Sequence, residues 1–169
     1  MRRLGPGVVH SFLVRSPRAT VPSLYKASLD TALTGWDYFD EREVGLSSLR
    51  RMYEAVVAQQ DHPAAVLDAD ELLGEPAAAL RAFCGAVGLP FDEALLSWER
   101  GPLPGWDAWG GWHDGAIEST GFAARATAKG ALERAKSTGL GPEADAEVCA
   151  AAERSLADYE ALFAKRLRW

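Results

Sequence analysis

Arg15 and Ser23 stand eight residues apart, and their types and spacing suit the capture of an anion. Arginine presents a planar fork that matches two oxygens of a phosphate or sulfate. A serine hydroxyl adds a neutral donor, and a helix N-terminus adds partial positive charge. Arg18 and Lys26 are near enough in sequence to assist. The spacing is equally compatible with an ordinary ion pair at Arg15 and with Ser23 on a helix surface.

Two elements must position that pair. The run "VVHSFLV" (8–14) is β-branched and apolar and predicts a buried strand ending at Arg15. Ser16 suits an N-cap and Pro17 the first helical position, so a helix should follow directly. Pro22 falls inside that helix and should distort the turn around Ser23. A strand end and a helix start together aim side chains into the crevice where open α/β sheets bind ligands.

The remaining pattern predicts a helix over 41–60, a second strand in "AAVLDAD" (64–70), and a helix from Glu75–Pro76 to Gly88. A short helix over 92–98, an ordered loop over 99–116, a helix over about 122–137 and a last helix over 143–168 complete it. The expected architecture is a mainly helical α/β layer with parallel pairing, a single domain over residues 1–169. Two parallel strands alone leave faces and edges to cover, so missed strands or something outside the chain should complete the sheet.

Composition bounds the partners. The formal net charge is −6 and the pI about 5.1, which argues against a general nucleic-acid surface, so an anion site must be local. Cys84 and Cys149 sit in alanine-rich helical text and read as buried or half-buried thiols. The chain has no CxxC and its three histidines are scattered, so no metal is expected. No apolar run approaches membrane-spanning length, and the start does not read as a signal peptide. A cytoplasmic location is expected.

A second constellation lies in "GPLPGWDAWGGWHDG" (101–115), where Trp106, Trp109 and Trp112 are three apart with Asp107, His113 and Asp114 between them. His113 is a candidate general base or acid, oriented by Asp107 or Asp114. Trp109 and Trp112 are candidate walls of a substrate pocket. A Trp-rich loop packed on the core, with a structural His113, explains the same text. Asp68 or Asp70 in "DAD" reads as a helix cap, and Ser119 and Thr120 as anion donors or caps. The final "KRLRW" reads as a cationic helix end, with Trp169 able to dock on a partner.

The stretch "HSFLVRSPRATVPSLYK" resembles the 3′-phosphate-binding segment of sulfotransferases that use 3′-phosphoadenosine 5′-phosphosulfate (PAPS). Arg15, Pro17 and Ser23 fill the places of its Arg, Pro and distant Ser. "AAVLDADELLGEPAAALRAFCGAVGLPFDEALLSWERGP" resembles the second-half strand and helices of bacterial sulfotransferase-like proteins, and "WHDGAIESTGF" (112–122) their Trp-His and Ser-Thr-Gly-Phe segment. The resemblance covers roughly residues 8–125. It implies that Arg15 and Ser23 bind the PAPS or PAP 3′-phosphate. It also implies that Asp107, Trp109, Trp112, Ser119 and Thr120 contact the substrate, with His113 catalytic.

The chain also departs from that family. It contains no GxxxxGK[ST], and 14 residues precede Arg15, so the phosphosulfate loop and the usual upstream base are not in this text. An Arg-Lys-Gly near the C-terminus is not evident, "AKG" (128–130) being the nearest. The implied fold is therefore the C-terminal half of a sulfotransferase-like P-loop fold, completed by a partner chain. The implied function is one subunit of a heteromeric enzyme transferring a sulfo group from PAPS to a small molecule, in natural-product chemistry. Two alternatives share the fold. One eliminates sulfate from a sulfated substrate and closes a small ring such as an aziridine by internal amine attack. The other is a non-catalytic stabilising or regulatory subunit.

Overall fold

A computed structural model of the chain describes residues 8–59, 63–106, 113–122 and 141–169. It is a mainly helical α/β arrangement around a two-strand parallel sheet. Strand β1 (Ser11–Val14) pairs with β2 (Ala65–Asp68), Ser11 opposite Ala65 and Val14 opposite Asp68. Both strands are shorter than the apolar runs that predict them. β1 begins at Ser11 rather than Val8, and Asp70 already belongs to the next helix.

Helix α1 (Pro17–Ser28) follows β1 after two residues and runs through Pro22 without interruption. Ser16 does not cap it with its side chain; the Ser16 carbonyl accepts from Ala19, Thr20 and the Thr20 hydroxyl instead. Asp30 caps the short α2 (Thr31–Thr34). The single helix expected over 41–60 is two elements, a 3-10 turn at Glu41–Val44 and α3 (Leu46–Val57). Gly45 separates them at φ 71°, a left-handed conformation that glycine adopts without a Cβ penalty. α4 (Ala69–Gly74) is capped by Asp68, as the "DAD" text suggests, and α5 (Pro76–Val87) ends on left-handed Gly88.

The expected helix over 92–98 is a 3-10 turn, Glu93–Leu96, and the short α6 (Asp114–Ile117) lies within the stretch read as a loop. The helix expected over 122–137, and "AKG" with it, lies outside the described residues apart from Phe122. The long C-terminal helix is instead α7 (Pro142–Arg154) and α8 (Leu156–Phe163), which separate at Ser155.

Two apolar clusters explain that break. Val148, Ala151 and Ala152 of α7 pack with Val21 and Tyr25 of α1. Leu162 of α8 packs with Phe12 and Val14 of β1, Val66 of β2, and Tyr53 and Val56 of α3. The two halves of one apolar stripe thus serve different cores. The chain ends against the sheet, not as a helix: Leu167 N–H donates to Val66 O at 2.8 Å, and Arg166 donates to the Phe163 carbonyl. Cys84 is buried as expected, whereas Cys149 is exposed on the outer side of α7.

Asp68 closes the carboxyl end of β2. It is 2% exposed, and Oδ1 accepts from the backbone N–H groups of Asp70 and Glu71 while the Tyr159 hydroxyl donates to Oδ2 at 2.9 Å. Burial pushes its carboxyl above the usual range despite those donors, and burial beside Asp68 pushes the Tyr159 phenol up as well. An acid with a raised folded-state pKa stabilises the fold most when protonated, and that contribution is lost as pH rises through its folded pKa. Tyr159→Phe leaves Oδ2 buried without its donor. We expect it to cost about 1–3 kcal/mol at neutral pH, and less once acid has protonated Asp68, in urea unfolding followed across pH.

Candidate functional site

The parallel register sets the site. Val14 and Asp68 face each other at the carboxyl end of the sheet, so Arg15 and Asp70 leave it side by side. α1 then carries Ser23 back along that end, seven residues into the helix. Arg15, Ser23 and Thr20 line one pocket of about 400 Å³, whose remaining walls include Leu13, Leu24, Val44 and Leu46. The structure therefore brings together the two residues that the sequence singles out for an anion.

The ion-pair reading of Arg15 is the one the contacts show. Its Nε donates to Asp70 Oδ1 at 3.1 Å, an ion pair about one-quarter exposed. Its two terminal nitrogens meet no partner among the described residues. Ser23 is exposed in the pocket. Thr20 has spent its hydroxyl proton on the Ser16 carbonyl. The first turn of α1 has neither a side-chain cap nor an acidic residue, so its positive dipole end is not offset locally. An oxyanion with two or more exposed oxygens fits this donor set: the free edge of a guanidinium and one hydroxyl, beside apolar walls.

The other cations near Arg15 in sequence do not join it. Both Nε and Nη2 of Arg18 donate to Glu153 of α7, which ties α1 to the C-terminal helices. Lys26 is exposed in the last turn of α1.

The Trp-His segment is a separate place. His113 stacks on Trp106 with ring centroids 4.7 Å apart, and neither lines the Arg15 pocket. Ser119 is held internally: it donates to the Ala116 carbonyl at 2.7 Å and accepts from Trp98 Nε1 at 2.9 Å. Thr120 accepts from Trp98 N–H through its backbone carbonyl, and Trp98 meets Phe122 edge-on. Neither residue reaches the Arg15 pocket. Asp107, Trp109 and Trp112 lie outside the described residues.

Sequence reasoning missed Asp70 as the counter-ion of Arg15. The available signal was its place two residues past the strand partner of Val14. It also missed the pair of Arg166 with Glu71 at 2.7 Å, where the guanidinium lies over Phe163. No spacing rule links residues 95 apart. Among the described residues no His, Cys, Asp or Glu cluster is arranged to hold a metal ion. No helix among them is long and apolar enough to cross a membrane.

A family model described as a sulfotransferase domain matches residues 3–140, which include Arg15, Ser23 and the whole of both strands. The chain belongs to the sulfotransferase-domain family. This sulfotransferase-domain chain is also similar to two curated proteins of Arabidopsis thaliana, branched-chain-amino-acid aminotransferase-like proteins 1 and 2. Identity is 35% and 34% over 116 residues, which is 67% of this chain and 19% of each of theirs. The chain thus spans about one-fifth of the length of those relatives. No solved structure matches it. Helices α7 and α8 lie beyond the matched sulfotransferase-domain region, although α7 packs on α1, the helix that carries Ser23.

The Ser119–Gly121 stretch is locked to the 3-10 turn by a bridge between Ser97 and Gly121, where a Cβ on Gly121 would stand 3.0 Å from the Leu96 carbonyl oxygen. Gly121→Ala should push the strands of that bridge apart and cost about 1 kcal/mol or more. Trp98 reports it: we expect a red-shifted tryptophan emission and an earlier thermal transition than in the parent protein.

Proposed function

We propose that this chain supplies the 3′-phosphate half of a PAPS-dependent sulfotransferase site and works on a small-molecule acceptor. The observation that carries the reading is the meeting of Arg15 and Ser23 in one pocket at the carboxyl end of β1. In this reading the free edge of Arg15 and the Ser23 hydroxyl hold the 3′-phosphate, and the uncapped start of α1 adds its field. Anchoring that phosphate fixes the far end of the cofactor, which is what orients the sulfo group it delivers. His113 is the acceptor-side base.

The phosphosulfate half comes from polypeptide outside residues 1–169, as a second subunit. Two features support this. The P-loop pattern GxxxxGK[ST], to which the family's phosphosulfate loop is related, does not occur in these residues. Among the described residues β1 has one strand neighbour, Leu13 on it is 58% exposed, and Val8 and Val9 just before it are 51% and 54% exposed. Parallel sheets are stable with both faces covered, and free strand edges recruit pairing partners.

The test is to express the chain with the polypeptides encoded beside it, isolate the complex, and titrate it with adenosine 3′,5′-bisphosphate by calorimetry. We expect a stoichiometric partner carrying a phosphate loop. Arg15→Ala should weaken binding by about 10–100-fold, and Ser23→Ala by a few-fold, in line with charged and neutral hydrogen bonds to a phosphate. A stable complex that ignores the bisphosphate overturns PAPS use and leaves sulfate elimination or a binding role.

A further inference from the structure

We propose that Asp70 is the positioning residue of the anion site: it holds Arg15 by Nε alone so that the two terminal nitrogens point their donors at the ligand. The inference rests on the reading that Arg15 and Ser23 bind an anionic group.

The contrast with the other ion-paired arginines among the described residues lies in their terminal nitrogens. Arg18 grips Glu153, Arg42 grips Asp40 and Arg154 grips Glu41 through Nε and Nη2 together, so the carboxylate takes the fork that would otherwise bind an oxyanion. Arg166 and Arg50 pair with Glu71 and Glu54 through Nε but spend Nη1 on the Phe163 carbonyl and on Asp158, and Arg81 spends Nη2 on Glu93. Asp70 takes a single donor of Arg15, and among the described residues the Nη1 and Nη2 edge has no protein acceptor. An acid that neutralised Arg15 for stability alone gains most from both donors. An acid that orients it gains by leaving the outer pair unspent.

Asp70 is itself held. Its backbone N–H donates to Asp68 Oδ1 at 3.0 Å, and Asp68 is buried and fixed by Tyr159. The guanidinium is thus tied through two carboxylates to α8, whose Leu162 is part of the sheet core. A group braced in this way meets its ligand with little rotamer freedom left to lose. The predicted signature is geometric. An amide at position 70 keeps the accepting oxygen, a methyl removes it, and a longer carboxylate displaces it.

The experiment titrates adenosine 3′,5′-bisphosphate and, separately, inorganic sulfate into the full chain in the complex in which it is isolated, with circular dichroism as a check on folding. Asp70→Ala should weaken bisphosphate binding about tenfold, whereas Asp70→Asn should stay within about threefold of the parent. Asp70→Glu, which keeps the charge but moves the oxygen, should fall on the weak side with Asp70→Ala, and it serves if the alanine variant does not fold. In an Arg15→Ala background Asp70→Ala should have no further effect. The Arg15 Nε–Hε cross-peak in nitrogen-15 spectra should be sharp in the parent and in Asp70→Asn, and averaged in the other two. Equal or tighter binding by Asp70→Ala overturns the proposal and makes Asp70 a competitor of the ligand. So does a full effect of Asp70→Ala without Arg15. If the parent binds neither probe, the anion reading fails, and this inference falls with it; binding by the parent that Asp70 variants leave unchanged sinks the inference alone.

Discussion

Val14 and Asp68 stand opposite each other at the end of a four-residue parallel ladder, and the next residues of both strands must leave the sheet together. Parallel strands run in the same direction, so their carboxyl ends share one edge of the sheet. Here that edge places Arg15 and Asp70 in contact, starts α1 and α4 within two residues of it, and opens the pocket between them. An antiparallel pairing of the same strands would put Arg15 beside the other end of β2, with neither Asp70 nor Asp68 near it. Every feature of the candidate site follows from that one register.

The ladder in turn depends on how its buried carboxylate is satisfied. Asp68 is an acid in an apolar setting, a costly group unless its lone pairs are filled. Two backbone donors of α4 and one phenol of α8 fill them, and so tie both helices to the strand end. Asp68 is therefore a cap and a junction at once. Glu71 and Arg166 tie α4 to the segment after α8, whose Leu167 N–H donates to the Val66 carbonyl. The result is a set of ties under the Arg15–Asp70 pair, in a protein whose net charge of −6 offers an anion little attraction elsewhere.

What was legible in the sequence was local. The strand ending at Arg15, the Pro17 helix start, the Asp68 cap and the Gly88 stop are all written within a few residues of where they act, and the structure contains each. The apolar runs overstate both strands, because hydrophobicity marks burial while ladder length is set by the partner. Residues 41–60 keep helical spacing across Gly45, so the turn there escapes a periodicity argument. Residues 143–168 contain no breaker after Pro142, and their division at Ser155 comes from two cores that pull on one stripe. The Ser16 cap failed for a related reason: the carbonyl of Ser16, not its hydroxyl, closes the first turn. Within the site, Arg15 and Ser23 were visible as types at a spacing, but the counter-ion was not. Asp70 lies 55 residues away, and a register had to exist before the two could meet.

The two strands are covered unequally, and that bears on the site as much as on stability. All four residues of β2 are buried, while β1 alternates, with Phe12 and Val14 inside and Ser11 and Leu13 outside. Leu13 is also a wall of the pocket that Arg15 and Ser23 line. A segment packed on Leu13 would cover the open face of the sheet and wall that pocket in the same act. Burying the leucine would favour such a segment by the hydrophobic effect, and the lower local dielectric beside Arg15 would strengthen the hold of its guanidinium on an oxyanion.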